Sequence, residues 1–272
     1  MRVTLLGTGT SHGVPAIACD CAVCRSTDPH DRRMRPSILL DLGEPADRGG
    51  GTSGRSAIAD AVRYVLVDTS PDLRTQALTF NVRRVDAILF THSHADHILG
   101  LDEVRRFNMV QRSAIGCYAD RSTLVDLRRT FAYIFDTEPQ VGGGVPQLSL
   151  FEIGGRFTIG GVEVVPVPLM HGPRPILGFR IGAFAYLTDC NAIPEQSWPL
   201  LAGVDTLVLD ALRDRPHSTH FSVQEALVVV DRLGPAHTYF THICHDLAHA
   251  ATCARLPPAI DLAYDGQVLE VG

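Results

Sequence analysis

Thr91-His92-Ser93-His94-Ala95-Asp96-His97 gathers three imidazoles and a carboxylate into seven residues. The apolar run Ala87-Ile88-Leu89-Phe90 leads into it, and residues 100–109 behind it have helical spacing. A strand that empties into such a turn holds its side chains on a rigid support. His-x-His in a loop lets two imidazoles meet one ion, and the Asp-His that follows can turn toward a second ion a few ångströms away. Imidazole and carboxylate suit Zn²⁺, Mn²⁺ or Fe²⁺ and leave coordination positions open for water. A solvated His-rich turn accounts for the composition but not for the order H-x-H-x-D-H between a strand and a helix.

Four more apolar runs end in a metal-competent residue: 164–170 in His171, 184–187 in Asp189, 206–209 in Asp210 and 237–240 in His242. Asp68 closes the run 64–67, where an Asp is as readily a turn former as a functional carboxylate. If these strand ends share one edge of the sheets, the side chains converge.

The remaining punctuation predicts strands over 3–6, 37–42, 64–67, 162–167, 184–187, 206–209 and 237–240, and helices over 71–80, 120–131 and 222–233. The last helix opens with Ser222-Val223-Gln224-Glu225, a capping box, and stops at Gly234-Pro235. Strands in runs, then strands alternating with helices, predict an α/β (α+β) sandwich of two mixed sheets with helices outside. The chain has 272 residues and is 45% hydrophobic, enough for one well-filled domain over 1–272. Its halves are expected at about 1–145 and 146–272, with the seam in the loop 139–146. Residues 44–54 (EPADRGGGTSG) read as a mobile insertion.

Net charge is −6, so no global field favours nucleic acid or anionic membrane, and no stable nucleic-acid partner is expected. No apolar run is long enough to span a bilayer, and the N-terminal apolar stretch is shorter than a signal peptide's, so a cytoplasmic location is expected. Cys19-Asp20-Cys21-Ala22-Val23-Cys24 crowds three of the seven cysteines together, a spacing that suits a metal in a reducing compartment. Cys117, Cys190, Cys244 and Cys253 read as packing or neighbouring residues, and His30, His237 and His249 as surface or packing residues.

The T-H-x-H-x-D-H motif, with His171, Asp189 and His242 following in order, resembles the metallo-β-lactamase superfamily over nearly the whole chain. That resemblance implies its αββα sandwich, with His92, His94 and His171 holding one divalent ion, Asp96, His97 and His242 a second, and Asp189 bridging the two. The ions would be Mn²⁺ or Zn²⁺, and Asp68 would support the ligands from behind.

Gly7-Thr8-Gly9-Thr10-Ser11-His12-Gly13-Val14-Pro15, followed by Cys-x-Cys-x-x-Cys, resembles more closely the phosphodiesterases that open phosphoribosyl 1,2-cyclic phosphate. In them a His three residues beyond the last active-site ligand joins the thiolates at a structural zinc, which implies Cys19, Cys21, Cys24 and His245 here. They also use a His before the helix that follows as the general acid. His220 matches it, and His217 is the substrate-binding candidate. Arg174 is a candidate for a second phosphate contact, and His12 lies in the Gly-rich loop that reaches the site in relatives.

The resemblance therefore implies hydrolysis of a small cyclic phosphodiester or nucleotide-like substrate, with a water activated between two ions beside Asp189 attacking phosphorus. The loops 173–175 and 141–146 would shape the pocket, and a homodimer is the assembly relatives form. A tRNA 3′-endonuclease is the alternative within the superfamily, and a thioester hydrolase stands third. From another class, the alternative is a non-catalytic nucleotide- or metal-binding module.

Overall fold

The computed structural model describes residues 1–43, 62–136 and 144–272. The insertion expected at 44–54 and residues 139–143 of the expected seam lie outside the described residues.

In chain order the strands are β1 (Arg2–Gly7), β2 (Ser37–Asp41), β3 (Tyr64–Val67), β4 (Ala87–Leu89), β5 (Ile115–Ala119), β6 (Leu148–Glu152) and β7 (Phe157–Ile159), then β8 (Val162–His171), β9 (Arg174–Ile181), β10 (Phe184–Leu187), β11 (Thr206–Asp210), β12 (His237–Thr241), β13 (Ile260–Leu262) and β14 (Val268–Glu270). The helices are α1 (Leu73–Thr79), α2 (Ala95–Ile98), α3 (Arg105–Gln111), α4 (Arg121–Thr130), α5 (Ala132–Phe135), α6 (Val223–Leu233) and α7 (His249–Cys253). One seven-stranded sheet has the order β14-β1-β2-β3-β4-β5-β6, the other β13-β12-β11-β10-β9-β8-β7. Both follow one rule. In the first sheet the pairings from β14 to β3 are antiparallel and those from β3 to β6 parallel. In the second, the pairings from β7 to β10 are antiparallel and those from β10 to β13 parallel.

Alternation along the strands builds the layers. Val65, Val67, Ala87 and Leu89 face inward and meet Val164, Phe179, Ile181, Phe184 and Val208 of the other sheet in one core. Their neighbours Leu66 and Ile88 face outward onto α1, α2, α3 and α4 through Leu73, Ile98, Phe107 and Leu127. On the far side Leu207, Leu209 and Phe240 pack against Val223, Ala226 and Val230 of α6. Strands covered on both faces must be apolar throughout, which is why they read as unbroken hydrophobic runs. The αββα sandwich is as expected.

Three details differ from the sequence reading. β6 belongs to the first sheet although it lies beyond 145, so the chain changes sheets between β6 and β7, near Gly154 and Gly155. β14 then returns from the C-terminal end to pair with β1, so the sheets do not divide cleanly into sequence halves. The stretch 173–175 is not a free loop, because β9 starts at Arg174 and pairs with β8, Arg174 opposite His171 and Pro175 opposite Met170. Pro175 is tolerated there because it is at the start of a strand.

Candidate functional site

Strand direction assembles the site. β3 and β4 run parallel, as do β10, β11 and β12, and β8 shares the direction of β10 because both are antiparallel to β9. Their C-terminal ends therefore deliver Asp68, His92, His171, Asp189, Asp210 and His242 to one edge. Asp68, Asp189 and His242 sit with φ of 62°, 57° and 59°, in the left-handed region that costs an ordinary residue on the order of 1 kcal/mol or more. At each strand end the chain turns sharply to keep the side chain at the edge. Gly100 lets the turn after α2 approach the start of α1, since a Cβ there would lie 2.0 Å from the Ser70 carbonyl oxygen.

Beside a smaller group of Asp210, His220 and His242, two larger groups of donors overlap: His92, His94, His171 and Asp189; and Asp96, His97, His242 and Asp189. Asp189 is common to both, its Oδ2 being 3.8 Å from His92 Nε2 and 3.2 Å from His97 Nε2, and its Oδ1 3.0 Å from His242 Nε2. Asp96 Oδ2 lies 3.4 Å from His97 Nε2 and 3.6 Å from His242 Nε2. The Nε2 atoms of His92, His97 and His242 are buried and have no hydrogen-bond partner. Orphaned buried nitrogens normally cost stability, and three of them aimed at shared carboxylates fit a cation that accepts their lone pairs.

The imidazoles are oriented from behind. His97 Nδ1 is 2.7 Å from Asp68 Oδ2, and the Asp68 carboxylate also accepts from the Thr91 N–H and hydroxyl, each at 2.8 Å. His171 Nδ1 is 2.9 Å from the Thr219 carbonyl, so the loop carrying His220 also sets the His171 ring.

Charge is divided between the groups. Burial pushes the pKa of His171 down to about 4 and lowers those of His92 and His94, for His94 with help from Arg174, which keeps these rings neutral. For His97 and His242 burial acts the same way, but Asp189 outweighs it, joined by Asp96 and, for His97, Asp68. His97 is raised well above its usual value and His242 to about 10. Asp189 is correspondingly held far below the usual carboxylate range, its burial overcome by His242 and His97.

His220 stands beside this cluster, its ring 4.6 Å from that of His242 and stacked at 14°, and 4.7 Å from that of His171. Its Nδ1 is 2.8 Å from Oδ2 of Asp210, which is fully buried. Asp210 thus partners an imidazole, a role that its place at a strand end did not distinguish from that of a ligand. His217 lies with its ring 5.1 Å from that of His220 and its Nδ1 3.2 Å from the Thr219 hydroxyl. Asn191, which the sequence reading missed, accepts from the Gly172 N–H at 2.8 Å and donates to the Ser218 carbonyl at 3.0 Å, tying the β8–β9 turn to the loop of His217 and His220. Arg174 is exposed on the other flank, 3.2 Å from the Ser93 hydroxyl, while His12 is exposed and joins no donor group.

At the N-terminal loop, Cys19, Cys21 and Cys24 surround one atom: their sulfurs lie 3.1, 3.5 and 3.5 Å from His245 Nδ1. One nitrogen lone pair cannot accept three thiol hydrogens. Tetrahedral zinc with its usual bond lengths places sulfur and nitrogen about 3.5 Å apart, so the four fit a closed site. The Cys24 N–H holds the Cys21 thiol down at about 6, whereas burial pushes Cys24 up to about 11, so a cation is needed before all three can be thiolates. Cys117 and Cys190 are buried, and Cys244 and Cys253 are in none of the metal-competent groups. No helix among the described residues is long and apolar enough to cross a membrane.

Residues 63–243 match the family model described as "Beta-lactamase superfamily domain". A solved structure described as a new diphosphatase from the PhnP family is 42% identical, covers 100% of this chain and 98% of its own, and superposes with a TM-score of 0.85. The Octanoyltransferase of Porphyromonas gingivalis (strain ATCC BAA-308 / W83) is 36% identical over 270 residues, covering 98% of this chain. This chain spans about half, 51%, of that relative's length. The Zn²⁺-bound PqqB from Methylobacterium extorquens shares the fold over 100% of both chains, with a TM-score of 0.73 at 18% identity.

Proposed function

The chain is a PhnP-like member of the metallo-β-lactamase superfamily, and from that premise we propose that it hydrolyses a small cyclic phosphodiester, a ribose cyclic phosphate or a 2′,3′-cyclic nucleotide-like molecule. The observation that carries the proposal is the Asp210–His220 pair at 2.8 Å, set against the imidazoles of His171 and His242. Ester cleavage that leaves an alkoxide needs a proton donor beside the reacting phosphorus.

In this reading His92, His94 and His171 would hold one divalent ion and Asp96, His97 and His242 another, with Asp189 available to both sets. Ions held so would polarise phosphoryl oxygens and lower the pKa of the attacking water. Asp68 keeps His97 Nδ1 occupied, so that His97 offers Nε2 to the centre. Asp210 does the same for His220 Nδ1, which leaves Nε2 to carry the proton that passes to the departing oxygen. His217, on the same loop, binds the substrate's phosphate, and Arg174 on the opposite flank meets a second anionic group. Cys19, Cys21, Cys24 and His245 hold a structural zinc that fixes the N-terminal loop to the segment following His242.

A net charge of −6 favours a small substrate over a polynucleotide, which places RNA cleavage second among diesters. A diphosphate bond is the reading favoured by the 42% identical diphosphatase, and Arg174 suits its extra charge. Acyl transfer, the activity named for the relative twice as long, gains no support at the donor cluster: Cys190 beside Asp189 is fully buried with its sulfur toward the Leu187 carbonyl, and all 24 Lys and Arg positions are Arg.

A substrate panel tests the proposal. Ribose cyclic phosphates, bis(p-nitrophenyl) phosphate, a nucleoside diphosphate and a short RNA are assayed with Mn²⁺ and with Zn²⁺. Preference for the cyclic ribose phosphates is expected. Preference for the diphosphate or the RNA would replace the proposed substrate class, and metal uptake with no hydrolysis of any of them would favour a binding module.

A further inference from the structure

A third gathering of donors stands apart from both the His/Asp cluster and the cysteines: Asp28, His30 and His249 bring one ligand atom each within 4.8 Å of one another. We propose that these three bind a divalent transition ion of the Zn²⁺, Cu²⁺ or Ni²⁺ class, at a site independent of the hydrolytic centre.

The molecule supplies its own yardstick. Ring centroids of His30 and His249 are 4.6 Å apart at 52°, within the spread of the His92–His94 and His92–His171 pairs, 4.5 Å at 73° and 5.6 Å at 49°. His30 Nδ1 lies 3.8 Å from Asp28 Oδ1, the same separation as His92 Nε2 from Asp189 Oδ2. His249 Nε2 is 3.1 Å from the Leu262 carbonyl, which only accepts, so Nε2 carries the hydrogen and Nδ1 keeps its lone pair. An imidazole pinned by a backbone carbonyl is the arrangement that orients metal-ligating histidines. Burial, reinforced by His30, also holds the His249 pKa below its usual value, favouring the neutral ring that a metal requires. Asp28 Oδ1 accepts the His30 N–H at 2.9 Å, which leaves lone pairs free on the carboxylate.

Aromatic packing is the competing account, since the His30 ring lies 4.1 Å from that of Tyr264. Packing explains the tilted ring contacts and the bond to the His30 N–H places the Asp28 carboxylate, but neither requires all three ligand atoms to converge within 4.8 Å of one another. Two imidazoles and one carboxylate, all partly exposed, leave open positions for water, so this ion would exchange faster than one in a closed four-ligand site. It would tie the turn at 28–30 to α7, next to where the His249 N–H already bonds Asp31 Oδ1 at 2.7 Å.

Zn²⁺ titration calorimetry on the metal-loaded full chain, dialysed free of loosely held ions, tests the site. Wild type is expected to take up one more Zn²⁺ per chain than His249→Gln, and Asp28→Asn to weaken that uptake at least tenfold. Hydrolysis by the loaded enzyme should be unchanged in both variants, so failure here is separable from failure of the proposed activity. Thermal melts confirm that the variants are folded, and if His249→Gln is not, the partly exposed Asp28→Asn carries the comparison alone. Equal Zn²⁺ stoichiometry and affinity in wild type and the folded variants would overturn the proposal.

Discussion

At the scale of single residues, the same pairing recurs with different outcomes. Asp68 with His97 and Asp210 with His220 are both buried carboxylates on an imidazole Nδ1, at 2.7 and 2.8 Å. The first orients a ring whose Nε2 is buried and orphaned, the second a ring at the margin of the cluster. Under the proposed function, that difference in position is what would let one imidazole hold an ion and the other hand over a proton. Asp265 is a buried carboxyl of another kind, accepting from the Thr8 N–H and hydroxyl and from the Met34 N–H, with Arg33 nearby. Burial outweighs these donors and pushes its pKa up to about 7. A folded-state pKa above the unfolded one means that its contribution is complete below about pH 4 and is lost as pH rises through 7. Urea unfolding should therefore show wild type losing stability relative to Asp265→Asn between pH 4 and 8, by on the order of 4 kcal/mol at most. A gain over that range would show that its hydrogen bonds, not burial, dominate.

At the scale of elements, two devices hold the site's supports. The α6 helix starts at Ser222, whose hydroxyl accepts from the Glu225 N–H while Glu225 reaches back to the Ser222 N–H, and it ends at Gly234 with φ of 62°. That start fixes the direction of the loop holding His217 and His220. Ser222→Ala should cost about 1 kcal/mol in chemical denaturation, as loss of an N-cap does, with bound metal unchanged. The second device is the Cys cluster, which joins the loop of residues 19–24 to His245, three residues past His242. Cys24→Ser should release one equivalent of zinc by elemental analysis and lower stability by on the order of a few kcal/mol. Retention of all the zinc would remove Cys24 from the ligand set.

Across the whole molecule, metal-competent side chains from both sheets meet at one edge, so ions bound there would clamp the sandwich. Chelation should lower the melting temperature by several degrees and abolish hydrolysis, with recovery when Mn²⁺ or Zn²⁺ is restored. A melt indifferent to chelator would contradict a metal bridging the sheets. The sandwich and the gathering of donors were legible in the sequence because strands covered on both faces stay apolar and a metal-competent residue follows several of them. The strands β5, β6, β7, β13 and β14 were not, since short strands carrying residues such as Ser149, Glu152 and Asp261 lack a continuous apolar run. β9 was hidden by Pro173 and Pro175, which read as a loop. Asn191 and the Thr219 carbonyl act only through tertiary contacts, which leave no local pattern. His30 and His249 meet across 219 residues of sequence, so each alone read as a surface or packing residue, and Asp28 drew no reading at all.

The central claim, that His220 protonates the oxygen leaving a phosphodiester, is tested most directly by making the leaving group the variable. His220→Ala is compared with wild type on a ribose cyclic phosphate, which must expel an alkoxide, and on bis(p-nitrophenyl) phosphate, whose phenolate departs without a proton. The account predicts kcat down by about 10²- to 10⁴-fold on the first, with little change on the second and metal content intact. Equal losses on both substrates, or no loss on the cyclic phosphate, would contradict it.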